Sequence, residues 1–367
     1  MKKSLKRIGL ITLVLALMVC FAACSQPAAE EVKEDVEEAA ATVEAATEEA
    51  AETVEEDVVE PAEEAVEEAG EEVAEAVTGG EGGVVYVIEA TLSNPYFQAE
   101  ADGATAKLEE LGYTVKLVSH NDDSAEQDTL FDTAISEGAV GIICDNAGAD
   151  SSIAAIQKAK DAGIPTVLIG REINQTGVAI AQIVSDNFQG AQMAAEEFVN
   201  MIGESGKYVE LTGIESDTGA QVRSEGFHSI LDEYPDLEMV AQQSANWDTQ
   251  EAYNKIETIL QKDSDINGII CGNDTMALGA AQAVKNAGLE GVVICGFDGS
   301  NDIRDAIIAG DAHISAMQKA YDNAVYGAEV LDQYLQTGAI DGDEKQQIEC
   351  ELITSDNADR LDNFKVS

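Results

Sequence analysis

Positive charge is scarce in this chain: 20 Lys and Arg stand against 71 Asp and Glu, a formal net charge of -51 over 367 residues. Charge of that sign repels phosphate backbones and anionic lipid surfaces, so nucleic acid is excluded as a partner. Histidine is rarer still. His120, His228 and His313 lie far apart, and none falls in a cluster with the spacing of metal ligands. No nucleophile-and-base motif is present, and "GESGK" (Gly203–Lys207) lacks both the full spacing and the final Ser or Thr of a phosphate loop. Neither a cofactor, a metal nor an enzymatic activity is therefore expected.

Long apolar runs are also lacking, apart from one at the start. Lys2, Lys3, Lys6 and Arg7 precede the run from Ile8 to Ala23. It is too short and wrongly flanked for a lasting membrane span, and it reads as an export signal over residues 1–23. The run ends "FAAC", which resembles the bacterial lipobox, in which small residues precede a Cys that is lipidated and becomes the new N-terminus. That Cys is Cys24, and the expectation is an extracytoplasmic protein lipid-anchored to the outer face of the cell membrane. An ordinary cleaved signal with an incidental Cys is the alternative. Four further cysteines follow the signal and Cys24. Cys144, Cys271 and Cys295 end apolar runs and Cys350 sits in "QIECELI". Buried inert thiols are expected there, with a Cys271–Cys295 disulfide left open.

Residues 24–82 form a second compositional zone. From Glu30 to Glu81 there are 22 acidic residues against one Lys, embedded in Ala and Val. Ala and Glu favour helix, and Val32, Val36 and Val43 hint at a stripe, but like charges at helical spacing repel and Pro61 interrupts. A solvated acidic tether is expected, with a partner-binding or coiled-coil role as the alternative. "TGGEGG" (Thr78–Gly83) marks its end.

Beyond Gly83 the pattern changes to alternating β and α signals. Apolar runs at Val84–Ile88, Val115–Val118, Val140–Cys144, Pro165–Ile169 and Val178–Val184 predict one parallel sheet. Those at Tyr208–Leu211, Leu237–Ala241, Gly268–Cys271, Val292–Cys295 and His313–Ala316 predict a second. The fold class is α/β, with two doubly wound lobes. In such sheets ligands bind beyond the carboxyl ends of the strands, and here those ends carry polar groups. "GIIC" leads into Asp145 in one series and, through Gly272, into Asn273 in the other; "VVICGFDGSND" delivers Asp298; "LIGRE" delivers Arg171, in a chain with five Arg. Helix capping is the competing role for Asn273 and Asp298, with Asp274 and Ser300 as further caps. "LSNPYF" sets Asn94 before a Pro suited to a first helical turn and then presents Tyr96 and Phe97, which could equally be core. Trp247, the only Trp, lies beside Asn246 and Asp248. Aromatic plates suit the apolar faces of a sugar ring, and planar Asn, Asp and Arg groups suit its neighbouring hydroxyls.

At "TLSNPYF", "SDNFQGA", "RSEGF", "GNDTMALGA" and "GFDGSND" the sequence resembles the periplasmic sugar-binding proteins of ABC transporters, in the ribose-binding branch, from Val84 to about Lys365. The resemblance implies two Rossmann-like lobes of the type I periplasmic binding protein fold, joined by a three-strand hinge and closing around one monosaccharide. The implied lobes are residues 83–185 with 319–340 and residues 186–318 with 341–367, crossing near Ser185 and Asp186, near Gln318, and around Gly338 to Asp343. The implied ligand set is Asn94, Tyr96, Phe97, Asp145, Arg171, Gln221, Trp247, Asn273, Asp298 and Gln318. Ribose-binding members carry Asp where this chain has Gly170 and Arg where it has Gln221, while Arg223 matches a different family Arg. A pentose such as ribose is the first expectation; a hexose, a polyol or a furanosyl signalling molecule follows. The implied partners are that monosaccharide, an ABC permease and the membrane through Cys24, with the chain a monomer. A binding protein feeding a sensory receptor would read the same way. A regulator of this lobed fold would instead carry a basic helix-turn-helix headpiece where this chain has an export signal and an acidic tract.

Overall fold

The computed structural model describes residues 82–366. Cys24, the export signal over 1–23 and all of the expected tether but Gly82 lie outside the described residues.

Both lobes are built on largely parallel sheets whose inner strands are short, mostly apolar and buried, and whose edge strands are partly exposed. In the first lobe these are β1 (Val84–Glu89), β2 (Thr114–Ser119), β3 (Gly141–Cys144), β4 (Thr166–Ile169) and β5 (Ala181–Ser185). Their helices are α1 (Pro95–Glu110), α2 (Ser124–Ser136) and α3 (Ile153–Asp161). The second lobe runs through α4 (Asn187–Ile202), β6 (Ser205–Thr212), α5 (Thr218–Leu231), β7 (Asp236–Ser244), α6 (Thr249–Leu260), β8 (Gly268–Cys271), α7 (Asp274–Asn286), β9 (Val293–Asp298), α8 (Asn301–Ala309) and β10 (Ile314–Met317). The chain then returns to the first lobe as α9 (Ala320–Thr337) and β11 (Lys345–Ile348), and ends on the second as β12 (Glu351–Ile353) and the hairpin of β13 (Leu361–Asp362) and β14 (Lys365–Val366).

Strand order is β2-β1-β3-β4-β5-β11 in one sheet and β7-β6-β8-β9-β10-β12 in the other. The first sheet is wholly parallel, whereas β12 runs antiparallel to β10. Each sheet is covered on both faces, so each lobe has two apolar clusters. Ile88, Phe131 and Ile156 belong to one side of the first lobe and Val87, Leu108 and Leu331 to the other. Trp247, Ile269 and Met276 belong to one side of the second lobe and Phe198, Phe227 and Phe297 to the other.

The chain passes between lobes at Ser185–Asn187, at Met317–Ala320 and at Ile348–Glu351. The third passage is not at Gly338–Asp343, as expected from the sequence. Lys345–Ile348 pairs with Gln182–Ser185 and extends the first sheet before the chain leaves it. This strand, "KQQI", alternates exposed and half-buried residues, so it carries no continuous apolar run to announce it. The four described cysteines are free and buried. Cys295 pairs in register with Ile270, so Cys271, one residue on, points to the opposite face of the sheet. The two thiols accordingly belong to different clusters, and no disulfide joins them.

Candidate functional site

The carboxyl ends of both sheets face one cleft, and short caps hold the residues there. Asn94 accepts from Tyr96 N at 3.0 Å and so starts α1, with Pro95 in its first turn. That start turns Tyr96 and Phe97 into the cleft, their rings edge-to-face at 5.4 Å. Asn273 caps α7 by accepting from Met276 N at 3.0 Å, and also lines the cleft. Capping and cleft-facing roles are therefore both filled by this one residue. Ser300 caps α8. Asp274 is not a cap: it lies inside α7, buried, and accepts from Ser300 N and Ser315 Oγ at 2.7 Å each. Burial pushes its carboxyl up to about 8, and the neighbouring charge of Asp298 adds to this.

The cleft is lined by Asn94, Tyr96, Phe97, Asp145, Arg171, Trp247, Asn273, Asp298 and Gln318. Every residue of the expected set is there except Gln221. Gln221 is exposed on α5 and bonds Glu225 on the same helix at 3.1 Å. Arg223 occupies the cleft instead. Residues two apart on a helix are turned about 200° from one another, so both cannot face the ligand. Asp217, Gly170 and Gly219 complete the lining. About 350 Å³ among these residues is free of protein atoms, a space that includes the open mouth of the cleft.

Two guanidinium groups organise the walls. Arg171, 6% exposed, lies 5.0 Å over the Phe97 ring. Its Nη1 reaches Asp122 at 2.7 Å and the Asn146 carbonyl at 3.1 Å; its Nε reaches Asp217 at 3.0 Å and Asp145 at 3.3 Å. Burial works against its charge, but Asp145, Asp217 and Asp122 together hold the proton firmly. Arg223 lies 4.1 Å over Phe297 and 5.3 Å from Trp247. It donates to Asn187 at 2.8 Å, to the Gly272 carbonyl at 2.7 Å and to Asp298 at 3.3 Å. Gln318 Nε2 donates to Asp298 at 2.7 Å. Burial raises the Asp298 carboxyl to about 6, with Arg223 and Gln318 holding it lower than burial alone would.

Several buried polar atoms in the cleft have no hydrogen-bond partner: Arg171 Nη2, Trp247 Nε1 and both oxygens of Asp145. Donors and acceptors buried without partners cost about 1–3 kcal/mol each, a cost that a ligand bearing hydroxyls would remove. The lobes are closed on one another. Arg171 and Asp217 come from opposite lobes, and Ala149 N donates to the Ser216 carbonyl at 3.0 Å beside them. Among the described residues, no group of His, Cys, Asp and Glu is arranged to hold a metal ion.

Residues 84–339 match the periplasmic binding protein domain. The chain belongs to that family. A D-apiose import binding protein of Actinobacillus succinogenes is 52% identical over 288 residues, covering 78% of this chain and 93% of that protein. A ribose import binding protein of Bacillus subtilis is 31% identical over 213 residues, covering 58% and 68%. Among solved structures, an ABC transporter periplasmic solute-binding protein from Actinobacillus succinogenes with bound D-allose superposes with a TM-score of 0.70 at 27% identity, covering 76% of this chain and 99% of that one. These relatives are binding proteins of transport systems, and the two-lobe α/β architecture of this binding protein is the one that such proteins share.

Sequence reasoning missed Arg223, Asp217, Glu89 and Glu100. Asp217 is the cap of α5, accepting from Gly219 N at 2.8 Å. Glu100 had a usable signal: it stands four residues after Tyr96, on the same face of α1, and accepts from the Tyr96 hydroxyl at 2.9 Å. Glu89, at the end of β1, reads in sequence as an ordinary polar strand end, yet it is fully buried.

Proposed function

We propose that this chain is an extracytoplasmic solute-binding lipoprotein that captures one monosaccharide by closure of its two lobes and delivers it to an ABC permease. The observation that carries the reading is a cleft between the lobes where aromatic rings from both lobes meet two arginines and several carboxylates, with hydrogen-bonding atoms left unpartnered. A ring with apolar faces and a rim of hydroxyls fits that combination. D-apiose, a branched pentose, is the first candidate, because it is the sugar named for the relative that shares 52% of aligned residues. Ribose moves behind it, since the ribose import protein is far less similar.

Calorimetric titration of the full chain with D-apiose, D-ribose, D-allose and a polyol tests the reading. D-apiose is expected to bind tightest and to raise the melting temperature. If no carbohydrate or polyol binds, the sugar assignment is wrong. Anchoring is tested separately: Cys24→Ala should release the protein from membranes or leave its signal uncleaved, and a variant that stays lipid-labelled would end that part of the proposal.

A further inference from the structure

Behind and along the first-lobe wall of the cleft, buried carboxyl groups outnumber cations. Glu89 ends β1, Glu100 lies on α1 and Asp145 follows β3, and all three are fully buried. Neither oxygen of Glu89 nor Oε2 of Glu100 accepts a hydrogen bond, and Asp145 has only the ion-pair approach of Arg171 Nε to its Oδ1 at 3.3 Å. Gly170 explains how two of these groups come together. A Cβ there would fall on Asp145 Oδ2 and lie 2.8 and 2.9 Å from the two Glu100 oxygens. The bare Cα, at φ +66°, thus leaves one point open on which both carboxyl groups converge. Two carboxylates that close in a dry pocket cannot both ionise, and a single proton between them turns repulsion into a charge-assisted hydrogen bond.

We propose that Glu100 and Asp145 share one proton in the closed cleft, Glu100 acting as a positioning residue for the Asp145 carboxylate, so that sugar capture takes up a proton from solvent. The proposal rests on the monosaccharide reading above.

The surrounding charges fit this arrangement. The nearest cation is Arg171, but it divides its charge among Asp145, Asp122 and Asp217. Glu89 presses on the pair from β1 and Asp217 faces it from the second lobe, where Arg223 is already engaged by Asp298. His120 bonds the Asp145 carbonyl at 2.8 Å, and burial holds its ring toward the neutral form. The Cys144 thiol beside them is pushed up by burial and stays protonated. Burial, opposed in part by Arg171, raises Asp145 to about 8, and burial followed by Asp145 itself raises Glu100 well above the usual carboxyl range. Opening the lobes separates Arg171 from Asp217, which frees the guanidinium for Asp145 and admits water. Both changes favour the doubly ionised pair, so proton affinity is higher when the cleft is closed. The sign follows: affinity for sugar is full at low pH and falls as pH rises through about 8.

Titration calorimetry of the full chain with D-apiose, in phosphate and in Tris at pH 8, reads the proton directly, because the two buffers differ in ionisation enthalpy. The expected result is a buffer-dependent heat that reports proton uptake. It should be accompanied by a Kd that rises about fivefold between pH 7 and pH 8, within the limit of tenfold per pH unit for one proton, and levels off above that. Glu100→Gln keeps a donor facing Asp145 at every pH, so its binding should show no proton uptake and a flat pH profile. Glu100→Leu removes the donor and should weaken binding by about tenfold at pH 7. Equal heats in the two buffers with a flat wild-type Kd would overturn the proposal, whether or not the variants fold; so would a Glu100→Gln protein that keeps the wild-type slope. Binding without proton uptake removes this proposal alone, whereas failure of every sugar removes the monosaccharide reading and this proposal with it.

Discussion

Arg171 Nε and Asp217 Oδ2 meet at 3.0 Å across the cleft, one from the exit of β4 and the other from the cap of α5. The pair is buried on both sides and exists only when the lobes are together. A ligand shifts a two-state equilibrium by its differential affinity for the states, so a contact made only in the closed state adds directly to apparent affinity. Asp217→Asn should therefore weaken sugar binding by about tenfold, or about 1.4 kcal/mol. Calorimetry reads the affinity, and small-angle scattering should show a larger open fraction at subsaturating sugar. An unchanged Kd would mean the pair follows closure without favouring it.

Asp298 is held from two sides, by Gln318 at 2.7 Å and Arg223 at 3.3 Å. Truncation to Ala strands both donors in a buried site, and leaving such groups unpaired costs about 1–3 kcal/mol or more. Binding should fall by well over tenfold, with the circular dichroism spectrum of the folded chain retained. A variant that binds normally would reduce Asp298 to a structural role.

Trp247 reports on the cleft optically. It is the only Trp in the chain, 9% exposed, with an unpartnered Nε1 and the Arg223 guanidinium 5.3 Å from its ring. Its emission should change saturably with sugars that bind and stay flat with those that do not. Trp247→Ala should weaken binding by at least about 1 kcal/mol through lost stacking. Gly213 offers a second route, since a Cβ there would overlap the indole ring. Gly213→Ala should displace the ring while leaving it present, giving a shifted baseline emission and weaker binding together.

His228 links the second lobe to pH. It sits between Glu210 Oε2 at 3.0 Å and Asp232 Oδ1 at 2.9 Å, and the bond to Glu210, joined by that to Asp232 and partly opposed by burial, raises its pKa to about 9. A His raised in the folded state stabilises fully below its ordinary pKa near 6.5, and that contribution is lost as pH rises through about 9. The melting temperature should fall over this window by on the order of 5 °C. His228→Gln should flatten the decline, and an identical decline in the variant would assign it to other groups.

How much of this was legible in the sequence depended on periodicity. The ten apolar runs became β1 to β10; the eight inner ones are buried within the sheets, which is why they read as apolar runs, while β2 and β7 lie at the edges and are partly exposed. The other two edge strands, β11 and β12, escaped notice because they are short and half solvated, and "KQQI" spends no apolar run on its edge. Site residues at strand exits were readable by position. Arg223 was not, because it reaches the cleft from the second turn of α5, where helical phase decides which of two nearby positions faces inward. Phe364 was hidden more deeply. It packs edge-to-face on Tyr96 at 6.0 Å from the last hairpin, far away in sequence, and no local pattern announces such a contact.

The return of α9 and β11 to the first lobe also bears on how the chain comes to be folded. The core on one side of that lobe needs Ala324, Ala328 and Leu331 to meet Val85, Val87 and Ile169, and α1 fits α9 so tightly that Gly103 has the Tyr321 carbonyl where a Cβ would stand. A chain threaded amino end first therefore carries a half-finished first lobe for as long as the second is still emerging. Long-range pairing of this kind is slow and leaves apolar strands uncovered meanwhile. The first lobe is the natural client of any chaperone that meets this protein on its way out, and Gly103→Ala should lengthen that exposure well before it alters sugar affinity.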